Sequence, residues 1–175
     1  MVLFNYSIKI LPDNSFKHAK FDYFYSMNST PEKSIFLAED DIDDRILFEE
    51  ALREVSLKTQ LTIAKDGQHL IHILDQRVPP PPDMIFIDLN MPRKNGFECL
   101  EEIKQTPKLK DIPIIIFSTS AQPEAVNKVY EQGANYFIRK PNTFHLLKKT
   151  LQKVLAINWK ENYKQPSKEN FILHP

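Results

Sequence analysis

Short apolar runs alternate with longer amphipathic segments from residue 34 to about residue 158. Runs of this length, rich in Ile, Phe and Leu, predict parallel strands that are buried on both faces. Regular alternation of such strands with helix-like segments is typical of a doubly wound α/β sheet. The pattern predicts five strands, at residues 34–39, 61–64, 84–88, 112–117 and 135–139.

A helix is predicted after each of these strands. The first covers about residues 43–56, and its apolar residues at helical spacing are Ile46, Leu47, Ala51, Leu52 and Val55. The other four are predicted to begin after Asp66-Gly67, near Gly96, near Pro123 and near Thr143. Gly133 is expected to end the fourth helix, and Pro79 to Pro82 predict a rigid polyproline spacer before the third strand.

The residues outside this repeat carry no comparable pattern. We expect residues 1–33 to form an N-terminal extension, residues 34–160 the domain, and residues 161–175 a polar C-terminal tail, with no output domain. Two interpretations of the extension stay open. Translation begins at Met27, or the extension is an added strand or a partner-binding arm.

Composition narrows the class of protein. The 175 residues include 23 Lys+Arg and 23 Asp+Glu, so a formal net charge of +0 gives no reason to expect nucleic acid or an anionic membrane as a partner. The single cysteine, Cys99, cannot form an internal disulfide. No run approaches the roughly 20 apolar residues of a membrane span, and no signal peptide is evident. We expect a cytoplasmic protein.

Polar side chains stand at the ends of four predicted strands: Glu39-Asp40, Asp88, Ser118 and Lys140. Ligands of open α/β sheets bind in the crevice at the carboxyl ends of the strands. We therefore expect three carboxylates, a hydroxyl and an ammonium group to meet in one place.

This grouping predicts phosphoryl chemistry on an aspartate. Asp88 can attack a phosphoryl group and form an acyl phosphate. The approach of two anions requires a cation, and Mg²⁺ prefers one or two carboxylates together with phosphate oxygen and water. Glu39, Asp40 and Asp88 are its predicted ligands, with the backbone carbonyl of Asn90 as a further oxygen. Lys140 is placed to neutralise the phosphoryl oxygens, and Ser118 to donate a hydrogen bond.

Four segments closely resemble the receiver domain of two-component response regulators: IFLAEDDIDDRIL, MIFIDLNMPRKNGFE, IPIIIFSTSAQPEAV and GANYFIRKP. The resemblance covers residues 34 to about 158. It implies a flavodoxin-like five-stranded parallel sheet in the order 2-1-3-4-5, as in the chemotaxis receiver. It further implies that Asp88 is the phosphoacceptor, that Glu39 and Asp40 are the acidic metal-binding pair, and that Lys140 contacts the phosphate.

The same resemblance implies how the signal leaves the domain. Ser118 matches the switch hydroxyl and Phe137 the switch aromatic, often a tyrosine, which acts on the surface of the fourth helix, fifth strand and fifth helix. Lys140-Pro141 resembles the family's cis peptide. Asn90 and Ser120 resemble positions that tune the phosphoryl lifetime. The implied partners are a sensor histidine kinase or histidine phosphotransfer protein, an unknown downstream protein, and a second copy through the same surface.

Other interpretations of these residues stay open. Acidic residues after Glu39 can cap a helix, and we assign Asp43 and Asp44 to that role. Thr119 can replace Ser118 as the switch hydroxyl. A calcium loop from Glu39 is excluded because Asp44 stands where a glycine is needed. A phosphatase using Asp88 as a transient nucleophile lacks a second acid at Asn90, and a phosphorylation-independent interaction module is the remaining alternative.

Overall fold

Five parallel strands form one sheet in the order β2-β1-β3-β4-β5. The computed structural model describes residues 33–56, 58–159 and 165–174. The strands are β1 Lys33–Ala38, β2 Thr59–Ala64, β3 Met84–Ile87, β4 Ile114–Ser118 and β5 Tyr136–Arg139. The predicted fold class and strand order are confirmed. The alternatives for Met27 and the N-terminal extension concern residues outside the described part of the chain, apart from Lys33 at the start of β1.

Helices follow the strands as the pattern predicts. They are α1 Ile42–Val55, α2 Gly67–Arg77, α3 Gly96–Gln105, α4 Pro123–Glu131 and α5 Phe144–Ala156, with a 3-10 turn at Lys168–Asn170. Side chains that accept hydrogen bonds from first-turn N–H groups fix the starts of four helices, those of Asp41, Asp66, Asn95 and Thr143. The observed starts therefore lie close to the predicted ones.

The sheet separates two apolar cores. Helices α2, α3 and α4 pack on one face, and α1 and α5 pack on the other. In the second core, the rings of Phe48, Phe86 and Phe117 meet edge to face, with centroids 5.0, 5.7 and 6.2 Å apart. Such contacts between α1, β3 and β4 hold the helix against the strands.

The apolar face of α1 was partly misassigned. Ile46 and Leu47 are 48% and 44% exposed, whereas Phe48 is fully buried with Ala51 and Leu52. Phe48 fills the space above β3 and β4, which rotates the helix and turns the two aliphatic side chains toward solvent.

Two expectations about proline are also wrong. The Lys140–Pro141 peptide is trans, which is the more stable isomer of most X-Pro bonds. In the described residues the cis peptides are Val78–Pro79 and Pro79–Pro80, so Pro79 to Pro82 do not form a continuous polyproline helix, which requires trans bonds.

Residues 165–174 lie along the outer edge of β5. The Phe137 N–H donates to the Phe171 carbonyl over 3.0 Å, and the Leu173 N–H donates to the Phe137 carbonyl over 2.8 Å. Phe171 is fully buried. This part of the C-terminal tail therefore forms an isolated parallel bridge, between Ile172 and Phe137, at the edge of the sheet. No helix in the described residues is long and apolar enough to cross a membrane.

Candidate functional site

The sheet's own hydrogen bonds position the polar side chains at its carboxyl edge. The Glu39 N–H donates to the Ala64 carbonyl and the Asp88 N–H to the Ala38 carbonyl, each over 3.0 Å. The Lys140 N–H donates to the Ser118 carbonyl over 2.8 Å. Glu39, Asp88 and Lys140 each stand just after the last residue of a strand. Their backbone N–H groups continue the hydrogen bonding of the sheet, which fixes the position of each backbone.

Three carboxylates converge at this edge. Oxygens of Glu39, Asp40 and Asp88 all lie within 4.8 Å of one another. Glu39 and Asp88 are buried and Asp40 is exposed. Hard carboxylate oxygens in such an array suit a divalent cation, with the open side at Asp40 available for water. The residues present therefore fit a divalent metal.

Lys140 is the cation of the site. Its Nζ lies 2.6 Å from Glu39 Oε2, 2.7 Å from Asp44 Oδ2 and 3.8 Å from Asp88 Oδ2. Burial alone would lower the pKa of Lys140, but contacts with Asp44 and Glu39 outweigh it and raise that pKa. The ammonium group therefore stays charged among the carboxylates.

Burial dominates the acid–base behaviour of the carboxyl groups. It raises the pKa of Glu39 to about 7, although Lys140 opposes the shift. It also raises the pKa of Asp88, against the charge of Lys140 and a hydrogen bond from the Leu89 N–H. Positive charge added at this point stabilises the ionised forms, as a bound cation does.

Ser118 faces the site from the end of β4. It is fully buried, and its Oγ has no hydrogen-bond partner of regular geometry among the described residues. Burial raises the pKa of Asp88, while the nearby Ser118 hydroxyl acts in the opposite direction. Thr119 is exposed. The geometry therefore favours Ser118 over Thr119 as the hydroxyl that meets a group on Asp88.

Phe137 lies one strand further out, opposite Ile116 of β4. Its side chain is fully buried in the core shared with α4. The ring therefore already points into this core and not into solvent.

A cleft of about 360 Å³ opens between the loop that follows β3 and the start of α4. Its lining includes Asn90, Ser118, Ser120, Phe97 and Lys128. The Lys128 ammonium group lies 4.6 Å from the centre of the Phe97 ring, so these two side chains contact each other across the cleft. The predicted lifetime-tuning residues Asn90 and Ser120 thus line one cleft together with Ser118.

Asp43 and Asp44 lie in the first turn of α1, where negative charge favours the helix dipole as expected, but neither side chain makes the capping hydrogen bonds. The residue that caps α1 is Asp41, whose Oδ1 accepts from the N–H groups of Asp43 and Asp44 over 2.8 and 3.1 Å. The Asp44 carboxylate instead pairs with Lys140. The missed signal is its place in the first turn of α1, next to the carboxyl end of β1.

Arg93 is a second residue that sequence reasoning missed. It follows the third strand, has a φ of 65°, and forms an ion pair with the buried Asp66 that caps α2. A non-glycine residue with this backbone conformation is uncommon. The contact anchors the loop between Asp88 and α3 to the neighbouring helix.

Comparisons with known proteins agree with this geometry. The family model for the response regulator receiver domain matches residues 35–152. The response regulator Rcp1 from Synechocystis sp. is 35% identical over 146 residues, covering 81% of this chain and 99% of the relative. The two-component response regulator ORR3 of Oryza sativa subsp. indica is 32% identical over 113 residues, covering 63% and 82%.

Solved structures give the same result. The Mn²⁺-bound form of Rcp1 is 34% identical with a TM-score of 0.65 and covers 77% of this chain and 99% of that one. The phosphorylated cyanobacterial phytochrome response regulator RcpA is 33% identical with a TM-score of 0.65, covering 70% and 90%. This chain belongs to the family of response regulator receiver domains of two-component systems.

Proposed function

We propose that this receiver accepts a phosphoryl group on Asp88 from a sensor histidine kinase or a histidine phosphotransfer protein. The observation that carries the proposal is the convergence of three carboxylates within 4.8 Å and the Lys140 ammonium group 3.8 Å from Asp88. A buried aspartate with a metal-binding group and a fixed cation beside it is suited to nucleophilic attack on phosphorus.

The reaction is a transfer between two side chains. An Asp88 carboxylate oxygen forms a bond to phosphorus while the bond from phosphorus to the donor's imidazole nitrogen breaks. Mg²⁺, when held by Glu39, Asp40, Asp88 and the Asn90 carbonyl, neutralises negative charge on the phosphoryl oxygens. Lys140 supplies a second positive charge, and water later hydrolyses the acyl phosphate. The protein thus catalyses only its own phosphorylation and dephosphorylation.

The signal is proposed to leave through Ser118 and Phe137. A phosphoryl group on Asp88 offers an acceptor to the buried Ser118 hydroxyl, which draws the end of β4 inward. Phe137 and α4 then repack around the space that Ser118 vacates. The surface of α4, β5 and α5 changes as a result, and a downstream protein or a second copy binds there.

The test is covalent labelling by acetyl phosphate, followed by intact-protein mass spectrometry. We expect wild-type protein to gain one phosphoryl group with Mg²⁺ and none with excess chelator. Asp88→Asn should show no labelling because the amide is a poor nucleophile. The matched control Asp75→Asn alters an exposed carboxylate on α2 and should label normally.

Two results contradict the proposal. One is labelling of Asp88→Asn at the wild-type rate. The other is sustained turnover of a phosphate monoester, which would instead indicate a phosphatase.

A further inference from the structure

The C-terminal residues 165–174, here named the C-terminal segment, cover the surface that is proposed to carry the signal. Phe171 belongs to the core beneath α4, and Leu173 packs against the core beneath α5. The Lys153 ammonium group of α5 donates to the His174 carbonyl over 2.9 Å. The segment therefore contacts both helices that border β5.

Backbone pairing holds the segment on β5. Both the N–H and the carbonyl of Phe137 are hydrogen bonded to it, at 3.0 and 2.8 Å. These two bonds form one parallel bridge, the local pairing by which an extended peptide joins an exposed sheet edge. The predicted switch aromatic is thus also the residue on which the segment pairs.

Side-chain contacts hold the segment on α4. The Phe171 ring meets the Tyr130 ring edge to face at 4.9 Å, and the Tyr130 hydroxyl donates to the Pro166 carbonyl over 3.2 Å. The Gln165 amide donates to the carbonyls of Tyr130 and Ala134 over 2.6 and 2.8 Å. An aromatic anchor and paired carbonyls are the features of a specific peptide site, not of a loosely resting tail.

We propose that the surface of α4, β5 and α5 is a binding site for an extended peptide, that the C-terminal segment is its resident ligand, and that phosphorylation of Asp88 releases it. The last step rests on the proposed function. Because the segment is bonded to both β5 and α4, it fits only one relative position of these two elements. A shift of α4 toward a phosphorylated Asp88 breaks one set of its contacts.

Occupancy of the surface has a direct consequence for partners. A second copy or a downstream protein that pairs with β5 needs the backbone groups of Phe137 that the segment already uses. The segment and the partner therefore compete for one site, and the segment is inhibitory while it is bound.

The first experiment measures binding of a fluorescein-labelled synthetic peptide of residues 165–174 to the full chain by fluorescence anisotropy. In Phe171→Asp, a charge replaces the buried anchor and displaces the internal segment, so the peptide should bind at least about tenfold more tightly than to wild type. Glu169→Gln alters an exposed residue of the same segment and should behave like wild type. A peptide with alanine in place of its phenylalanine should not bind.

Leu173→Pro is the second variant, for the case that Phe171→Asp fails to fold. It removes the N–H that donates to Phe137 and also the leucine side chain that packs on the core beneath α5, so it should raise peptide affinity in the same direction. Equal peptide affinity in wild type and in a folded displaced variant overturns the proposal. The proposal is also overturned if wild type forms a concentration-dependent dimer in analytical ultracentrifugation in which the two copies exchange segments. The bound segment then belongs to the other copy.

The second experiment measures amide hydrogen exchange of Leu173 and Phe137 in wild type, with and without beryllofluoride and Mg²⁺. We expect protection of both amides in the resting protein and about tenfold faster exchange of Leu173 with the phosphoryl mimic. Unchanged exchange, with the mimic bound, refutes release but leaves phosphorylation of Asp88 intact. Failure of the mimic to bind instead overturns the proposed function. The peptide experiment then still shows whether the C-terminal segment occupies the surface of α4, β5 and α5.

Discussion

Lys140 serves as an internal counterion for the acidic site. It contacts Glu39 and Asp44 more closely than Asp88, and its side chain is nearly buried with those of Glu39 and Asp88, whereas the Asp44 side chain is 36% exposed. A single ammonium group therefore balances carboxylates that would otherwise repel each other. The same positive charge repels a metal ion that approaches these carboxylate oxygens and so lowers its affinity.

Replacing Lys140 with methionine separates these two effects. We expect Lys140→Met to be labelled by acetyl phosphate about 100-fold more slowly, because one stabilising charge is lost from the transition state. Mg²⁺ affinity, measured by isothermal titration calorimetry, should rise because the competing ammonium group is gone. Lys148→Met removes a half-buried lysine paired with Glu54 and is the control. Weaker Mg²⁺ binding in Lys140→Met would contradict the assigned role.

Lys104 gives the molecule a distinct response to pH. Its Nζ donates to the carbonyls of Lys110 and Ile112 over 3.0 and 3.1 Å, and burial lowers its pKa from 10.5 to about 8. The unfolded chain therefore binds this proton more tightly than the native protein. The resulting penalty is fully present below pH 8 and disappears as the pH rises toward 10.5.

We expect the free energy of unfolding of wild type, relative to Lys104→Met, to increase between pH 8 and 10.5 by at most about 3 kcal/mol. Urea unfolding of both proteins at several pH values measures the difference. Using the difference removes the titration of all other groups. A relative stability that falls with pH would show that the hydrogen bonds to the two carbonyls outweigh burial.

At the scale of elements, the start of α3 is packed directly on the backbone that carries Asp88. The Gly96 N–H donates to the Leu89 carbonyl over 3.0 Å. A Cβ added at Gly96 would lie 2.3 Å from the Asp88 carbonyl oxygen, closer than any real contact of this kind. The position of Asp88, the proposed phosphoacceptor, thus depends on the absence of a side chain here.

Gly96→Ala should therefore lower the free energy of unfolding by about 1–3 kcal/mol or more and slow labelling of Asp88. Gly133→Ala is the comparison. Gly133 has a φ of 91°, and a Cβ there would make only ordinary van der Waals contact with the Lys104 side chain at 3.8 Å, so alanine should cost about 1–2 kcal/mol of backbone strain and leave labelling unchanged. Thermal unfolding and mass spectrometry provide the two measurements. Normal labelling of Gly96→Ala would contradict the packing argument.

The elements of the site follow from sequence to different degrees. Glu39, Asp88 and Lys140 could be placed because apolar strands end just before them and parallel strands end at one edge. The role of Asp44 could not, since its partner Lys140 is 96 residues away along the chain. The face of α1 depends on how Phe48 fits between Phe86 and Phe117, which helical spacing alone does not determine.

The C-terminal segment shows the same limit. Its sequence is polar except for Phe171, Ile172 and Leu173, and three apolar residues give no period. Its place in the fold comes from the open edge of β5 and the ring of Tyr130. These partners become visible only after the strand order is known.

The whole molecule carries equal numbers of acidic and basic residues, with a sequence pI near 7.0. Charge repulsion between copies is therefore weakest near neutral pH. We expect static light scattering at low salt to give a lower second virial coefficient at pH 7 than at pH 9. The reverse order would show that local charge clusters, such as the one at Glu39 to Asp44, control association in place of net charge.

The pairing of the C-terminal segment with Phe137 bears on the protein's tendency to aggregate. An uncovered edge strand presents unpaired N–H and carbonyl groups that can template sheet growth between molecules. If the segment leaves, β5 becomes such an edge beside an exposed Tyr130 ring. The released state is then a liability in solution unless another chain covers it promptly. Release of the segment would thus permit signalling through β5 and at the same time lower solubility. A partner that binds β5 would also protect it from aggregation.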